Sequence, residues 1–183
     1  MISEFRKMKY LYLFHAFFDT NSSGSIDKKD FEVAIENIAK LRGWKPGDDK
    51  HKETEKSLMD IWEALENAAD ANKDGQISIE EWLTMWEEFA KNPSEPFEWQ
   101  TMYCKFIFEL EDASSDGVID SEEFSTVHEC FGLQKEDSEA AFKFMTRGKK
   151  TITWDEFQEL WKQYFTSENP IDPGNFIFGA ATY

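Results

Sequence analysis

One pattern is written three times in this chain: DTNSSGSIDKKDF at 19–31, DANKDGQISIEEW at 70–82 and DASSDGVIDSEEF at 112–124. Each copy sets oxygen-bearing side chains at positions 1, 3, 5, 9 and 12, glycine at 6, isoleucine at 8 and an aromatic at 13. An internal repeat constrains architecture before any single residue does. After each copy the side chains facing one way fall at i, i+3, i+4 and i+7, one stripe of a helix. They are Phe31, Ala34, Ile35 and Ile38, then Trp82, Met85, Trp86 and Phe89, then Phe124, Val127, His128 and Phe131. Before the second copy, Leu58, Trp62, Leu65 and Ala69 share a face in the same way. Helix–loop–helix units with one apolar face must pair to bury it, so the spacing predicts an all-α protein.

The loop chemistry is that of a hard cation. Calcium takes six to eight oxygens at about 2.3–2.6 Å, and alternate residues of a tight loop aim side chains at one centre. The chain must then reverse, which glycine does without a Cβ penalty. Loop one offers Asp19, Asn21, Ser23, the Ser25 carbonyl, Asp27 and Asp30. Loop two offers Asp70, Asn72, Asp74, the Gln76 carbonyl, Ser78 and Glu81. Loop three offers Asp112, Ser114, Asp116, the Val118 carbonyl, Asp120 and Glu123. At position 9 (Asp27, Ser78, Asp120) the contact often runs through water. Asp30 is one methylene shorter than Glu, which suits smaller, octahedral magnesium better than a bidentate grip on calcium. Three Ca2+ sites are expected, with Mg2+ favoured at loop one.

A fourth stretch, FMTRGKKTITWDEF at 144–157, has the end of the pattern without its beginning. Counting back from Glu156, positions 1, 3 and 5 are Met145, Arg147 and Lys149, so no divalent ion is expected there. Phe157, Leu160, Trp161 and Tyr164 still form an exit-helix stripe. Ile152 matches Ile26, Ile77 and Ile119, where paired loops make short two-stranded bridges. Unit three needs unit four as a packing mate whether or not the latter holds an ion. LRGWKPGDDKHKE at 41–53 and the proline-bearing KNPSEPFEW at 91–99 separate the units. The expected division is a first pair at 1–92, a second at 93–166 and a packed tail at 167–183.

A net charge of −17 argues against nucleic acid and anionic membrane partners. MISEFRKMK has no signal-peptide core, Ile2 excludes N-myristoylation, and no apolar run spans a bilayer. Two distant cysteines, Cys104 and Cys130, read as reduced thiols of a cytoplasmic protein, expected to be a monomer.

The combination resembles the sarcoplasmic calcium-binding proteins and calexcitins of invertebrates over essentially the whole chain. Live loops one to three with a dead fourth, the long first linker, Asp30 closing loop one and the aromatic tail NFIFG at 175–179 carry the resemblance. It implies a compact domain of four EF-hands in two pairs. With seventeen Phe, seven Trp and only six Met, the core suits a closed calcium buffer rather than a Met-rich sensor groove. In that closed form Phe176, Ile177 and Phe178 of the tail are expected to plug a cleft between the halves.

The insect branch of the resemblance includes juvenile hormone diol kinases, which implies an alternative: phosphate transfer from ATP or GTP to an apolar diol. Trp62, Trp82, Trp86, Phe108, Trp154 and Trp161 are candidates to line a cavity for such a ligand, and Arg147, Lys149 and Lys150 to bind the nucleotide. Gly148-Lys149-Lys150-Thr151 matches a phosphate loop poorly, with Lys143 where its first glycine belongs. The plainer roles are core filling for the rings and charge compensation of loop three for the cations. No catalytic set can be read, because His15, His51 and His128 lack Ser or Cys partners at a recognisable spacing.

Overall fold

A computed structural model describes residues 1–179; residues 180–183, the end of the expected tail, lie outside the described residues. The chain builds four helix–loop–helix units. The first is α1 (Glu4–Leu13), a π-helical turn (Phe14–Phe18), β1 (Ser25–Asp27) and α2 (Lys28–Arg42). The second is α3 (Asp49–Ala69), β2 (Gln76–Ser78) and α4 (Ile79–Phe89). The third is α5 (Glu98–Glu111), β3 (Val118–Asp120) and α6 (Ser121–Cys130). The fourth is α7 (Lys135–Met145), β4 (Thr151–Thr153) and α8 (Trp154–Thr166), followed by a 3-10 turn at Pro173–Phe176. Among the described residues the protein is all-α apart from two antiparallel bridges, β1 with β2 and β3 with β4. Both are in the expected register, Ile26 opposite Ile77 and Ile119 opposite Ile152.

Each exit helix opens with a capping box, in which an N-cap side chain bonds a backbone N–H of the first turn and the third helical residue bonds back to the cap. The pairs are Asp27 with Asp30, Ser78 with Glu81, Asp120 with Glu123, and Thr153 with Glu156. In the first three units these are also the ninth and twelfth loop positions. The acid expected to close each of these loops is thus also the one that starts the exit helix, and Glu156 holds the same helix-starting place in unit four.

The chain divides into two compact units, Tyr10–Met102 and Met1–Lys9 with the residues from Tyr103 on. In the first, Trp82, Trp86 and Trp99 are fully buried among Tyr10, Phe14 and Phe18. Trp82 Nε1 donates to the Tyr10 carbonyl at 2.9 Å, and Tyr10 stacks on Trp86 with centroids 4.2 Å apart. Trp99 stands in the stretch read as a separator, yet it packs on Phe18, Trp82 and Trp86. The predicted stripes of α2 and α4 are buried throughout. On α6 the stripe stops early, since the helix ends at Cys130 and Phe131 is half-buried beyond it.

In the second unit the tail lies against α8. Ile177 and Phe178 are buried, with Phe178 packed on Trp161 and Tyr164 at 5.2 and 4.7 Å. Gly174 permits this approach, because a Cβ there would meet the Leu160 carbonyl oxygen at 2.5 Å. Lys9 enters the same region fully buried, its ammonium donating to the carbonyls of Tyr164 and Ser167 and to Asn175 Oδ1.

Candidate metal centres

Loops one, two and three share one backbone. The fourth position adopts a left-handed conformation in each, Ser22, Lys73 and Ser115 having φ of 56°, 60° and 57°. So does the glycine at the sixth, Gly24, Gly75 and Gly117, with φ of 88°, 79° and 87°. Three different sequences converge on this turn because their acids hold the same N–H groups. The first acid accepts from the glycine N–H: Asp19, Asp70 and Asp112 Oδ2 at 3.0, 2.9 and 3.0 Å. The closing acid spans the loop with two oxygens. One accepts from the third residue, Asn21, Asn72 or Ser114, at 3.1, 3.3 and 3.0 Å. The other accepts from the ninth, Asp27, Ser78 or Asp120, at 2.8, 3.0 and 3.1 Å.

Of the other candidate donors, Ser23 Oγ, Asp74 and Asp116 accept from the N–H of Ser25, Gln76 and Val118, whose carbonyls are the expected seventh-position ligands. Every candidate donor in these loops is a carboxylate, amide, hydroxyl or carbonyl oxygen, with no thiol or imidazole, a set that fits calcium or magnesium. Among the described residues no group of three or more His, Cys, Asp or Glu side chains forms a metal cluster. The acids turn to the loops' own N–H groups, and the sets also draw on Asn, Ser and main-chain oxygens.

Loop one differs from its siblings in depth. Asp19 and Asp30 are buried, Asp30 being only 1% exposed. Burial pushes the Asp30 carboxyl above the usual carboxylate range, against the two N–H bonds it accepts. Glu81 is instead held below that range, mainly by the Ser78 N–H. The shorter acid thus sits in the drier and tighter site.

Loop four keeps its strand and exit helix but not the shared backbone. Its left-handed residues are consecutive, Arg147 and Gly148. Their N–H groups return to Phe144 and Lys143 and so terminate α7. Glu156 Oε2 still accepts from the Thr153 N–H at 3.0 Å, while Oε1 is bonded by the Lys149 ammonium. Lys149 and Thr153 together hold the Glu156 carboxyl below the usual range. Arg147, Lys149 and Lys162 line a groove of about 840 Å³, which also carries Asp155, Glu156, Glu159 and Asp172. Such mixed charge does not favour a polyphosphate, and Lys150 is not among the lining residues. The six candidate cavity rings pack against other rings. Trp82 meets Trp86, Trp62 meets Phe31, Phe108 meets Trp154, and Trp161 meets Tyr103 and Phe178.

Glu111 was not singled out from the sequence. It precedes Asp112 where Phe18 and Ala69 precede the other first acids, and it is fully buried. Its carboxyl lies 3.7 Å from His128 Nδ1, and burial raises it well above the usual range. The signal was a charge on the buried stripe Tyr103, Ile107 and Leu110 of α5.

The EF hand family model matches residues 16–33, 67–86 and 107–128, the segments that contain loops one to three. Sarcoplasmic calcium-binding proteins I, III and IV of Branchiostoma lanceolatum are 34% identical over 97% of this chain and 98% of their own. Calexcitin-1 of Caenorhabditis elegans is 33% identical over 97% of this chain and 88% of its own. The solved structure of a sarcoplasmic calcium-binding protein from amphioxus superposes with a TM-score of 0.83 at 33% identity, covering 98% of each chain.

Proposed function

This chain belongs to the sarcoplasmic calcium-binding protein family of EF-hand proteins, and we propose that it binds Ca2+ at loops one, two and three as a cytoplasmic, monomeric calcium buffer. The observation that carries this reading is the single cradle shared by three loops of different sequence. Each has two left-handed residues in the same places and a closing acid spanning its third and ninth N–H groups. When bound, the cation supplies the charge that those acids otherwise meet with N–H donors. Asp30, short and buried, favours Mg2+ at loop one. Among the described residues no helix is long and apolar enough to cross a membrane. The Branchiostoma lanceolatum relatives are named as sarcoplasmic calcium-binding proteins, and the diol-kinase alternative draws no support from them or from Calexcitin-1. Within its basic cluster, Lys149 is already engaged by Glu156.

Calorimetric titration tests the assignment. Three calcium equivalents are expected, two after Glu81→Gln or Glu123→Gln, and still three after Glu156→Gln. A wild-type stoichiometry of one, or loss of a site in Glu156→Gln, would refute it. A closed buffer should also bind little hydrophobic dye when calcium-loaded; strong dye binding would favour a sensor.

A further inference from the structure

The four loops of this chain are an internal control on what closes such a loop. In loops one to three the closing acid reaches back to the backbone N–H of the third position. In loop four that N–H, on Arg147, is spent on capping α7 through the Phe144 carbonyl. The oxygen it would have met is taken by Lys149 Nζ. Lys149 stands seven residues ahead of Glu156, as Ser23, Asp74 and Asp116 stand ahead of Asp30, Glu81 and Glu123. A ligand position of the live loops is therefore occupied in loop four by a covalently attached cation, bonded to the acid that would otherwise face the metal.

We infer that Lys149 is a built-in substitute for the fourth ion: it closes loop four without metal and, through the β3–β4 bridge, holds loop three ready for calcium. The path is short and continuous. Lys149 bonds Glu156 Oε1, and Glu156 Oε2 accepts from the Thr153 N–H. Thr153 pairs with Val118, whose carbonyl is the seventh-position donor of loop three, and Thr151 pairs with Asp120, the ninth. Loops one and two have no such device, since each bridges to a loop that itself needs an ion. Lys149 is thus a positioning residue for loop three, and this role rests on the reading that loop three takes calcium.

The competing role for this cation, simple charge, has the opposite sign. A lysine near loop three repels calcium, so its removal on electrostatic grounds alone tightens binding; loss of a positioning residue weakens it. Lys149→Gln in the full chain separates the two. In EDTA, hydrogen exchange should find the Ile119 and Ile152 amides of the wild type better protected than those of Ile26 and Ile77. Lys149→Gln should lower the first pair by about threefold to fivefold, the ceiling for a half-exposed ion pair, and leave the second pair alone. Calcium affinity at loop three should fall by a similar factor, with loops one and two unchanged, and Lys149→Arg should restore both. Unchanged exchange in Lys149→Gln, or tighter calcium at loop three, overturns the inference. A wild-type loop three that takes no calcium would strike the site assignment instead, and the exchange measurement would still decide whether Lys149 closes loop four.

Discussion

Lys9 is fully buried, with its ammonium 2.5 Å from the Tyr164 carbonyl, 3.0 Å from that of Ser167 and 2.9 Å from Asn175 Oδ1. It closes the C-terminal end of α8 and ties the tail to it. Each bond from a charged donor contributes about 1.5–3 kcal/mol, so three give roughly 4.5–9 kcal/mol. Against that stands the cost of burying the charge. Burial, and then the neighbouring Arg6, push the Lys9 ammonium down to about 7 from the usual lysine value. Holding the proton there costs about 5 kcal/mol. Lys9→Met removes both contributions, a net loss of about 2 kcal/mol. For a chain of this length that lowers Tm by about 4–8 °C. Calorimetry in EDTA at pH 7 reads it directly, with calcium stoichiometry as the check that the loops are intact. The pH course has a definite sign. The folded value of about 7 lies below the unfolded one, so above pH 7 the unfolded chain binds the extra proton and wild-type stability rises with pH. Lys9→Met lacks that rise, so the gap should widen between pH 7 and 9. A Lys9→Met protein as stable as the wild type at pH 7 would mean that the buried ammonium contributes nothing net, and the reasoning would fail.

Asp30→Glu adds a methylene to a site that is 1% exposed, so the metal-free chain should lose about 1–3 kcal/mol while calcium gains on magnesium at one site. Competitive titration checks this, and an unchanged calcium-to-magnesium ratio counts against the magnesium reading of loop one. Gly174→Ala sets a methyl against the backbone oxygen of Leu160 and should cost about 1–3 kcal/mol. Limited proteolysis after residue 166 should then become faster; an unaltered cleavage rate would show that the tail does not depend on that close approach.

The shared backbone of loops one to three, the departure of loop four from it and both strand registers were legible because they depend on local spacing. A twelve-residue loop specifies its own geometry: the acid at position 1 and the N–H at position 6 are close in sequence and can meet in only one way. The aromatic stripes of α2 and α4 were legible for the same reason. Features built from distant parts of the chain were not. Trp99 looked like part of a proline-rich separator, and nothing local says that Phe18 and Trp82 will receive it. Nothing local marks Lys9 for burial either, since its ammonium is received by the end of α8 and by Asn175.

Loop four divides along the same line. The residue pattern alone determined that it lacks the carboxylates for a divalent ion, since Arg147 and Lys149 occupy positions where anions are required. The tertiary structure decided what those residues do instead: Arg147 helps to end α7, and Lys149 turns onto Glu156. Spacing reports which groups are within reach of one another. Only the folded backbone, by sending the Arg147 N–H to a helix carbonyl, left one Glu156 oxygen to the lysine.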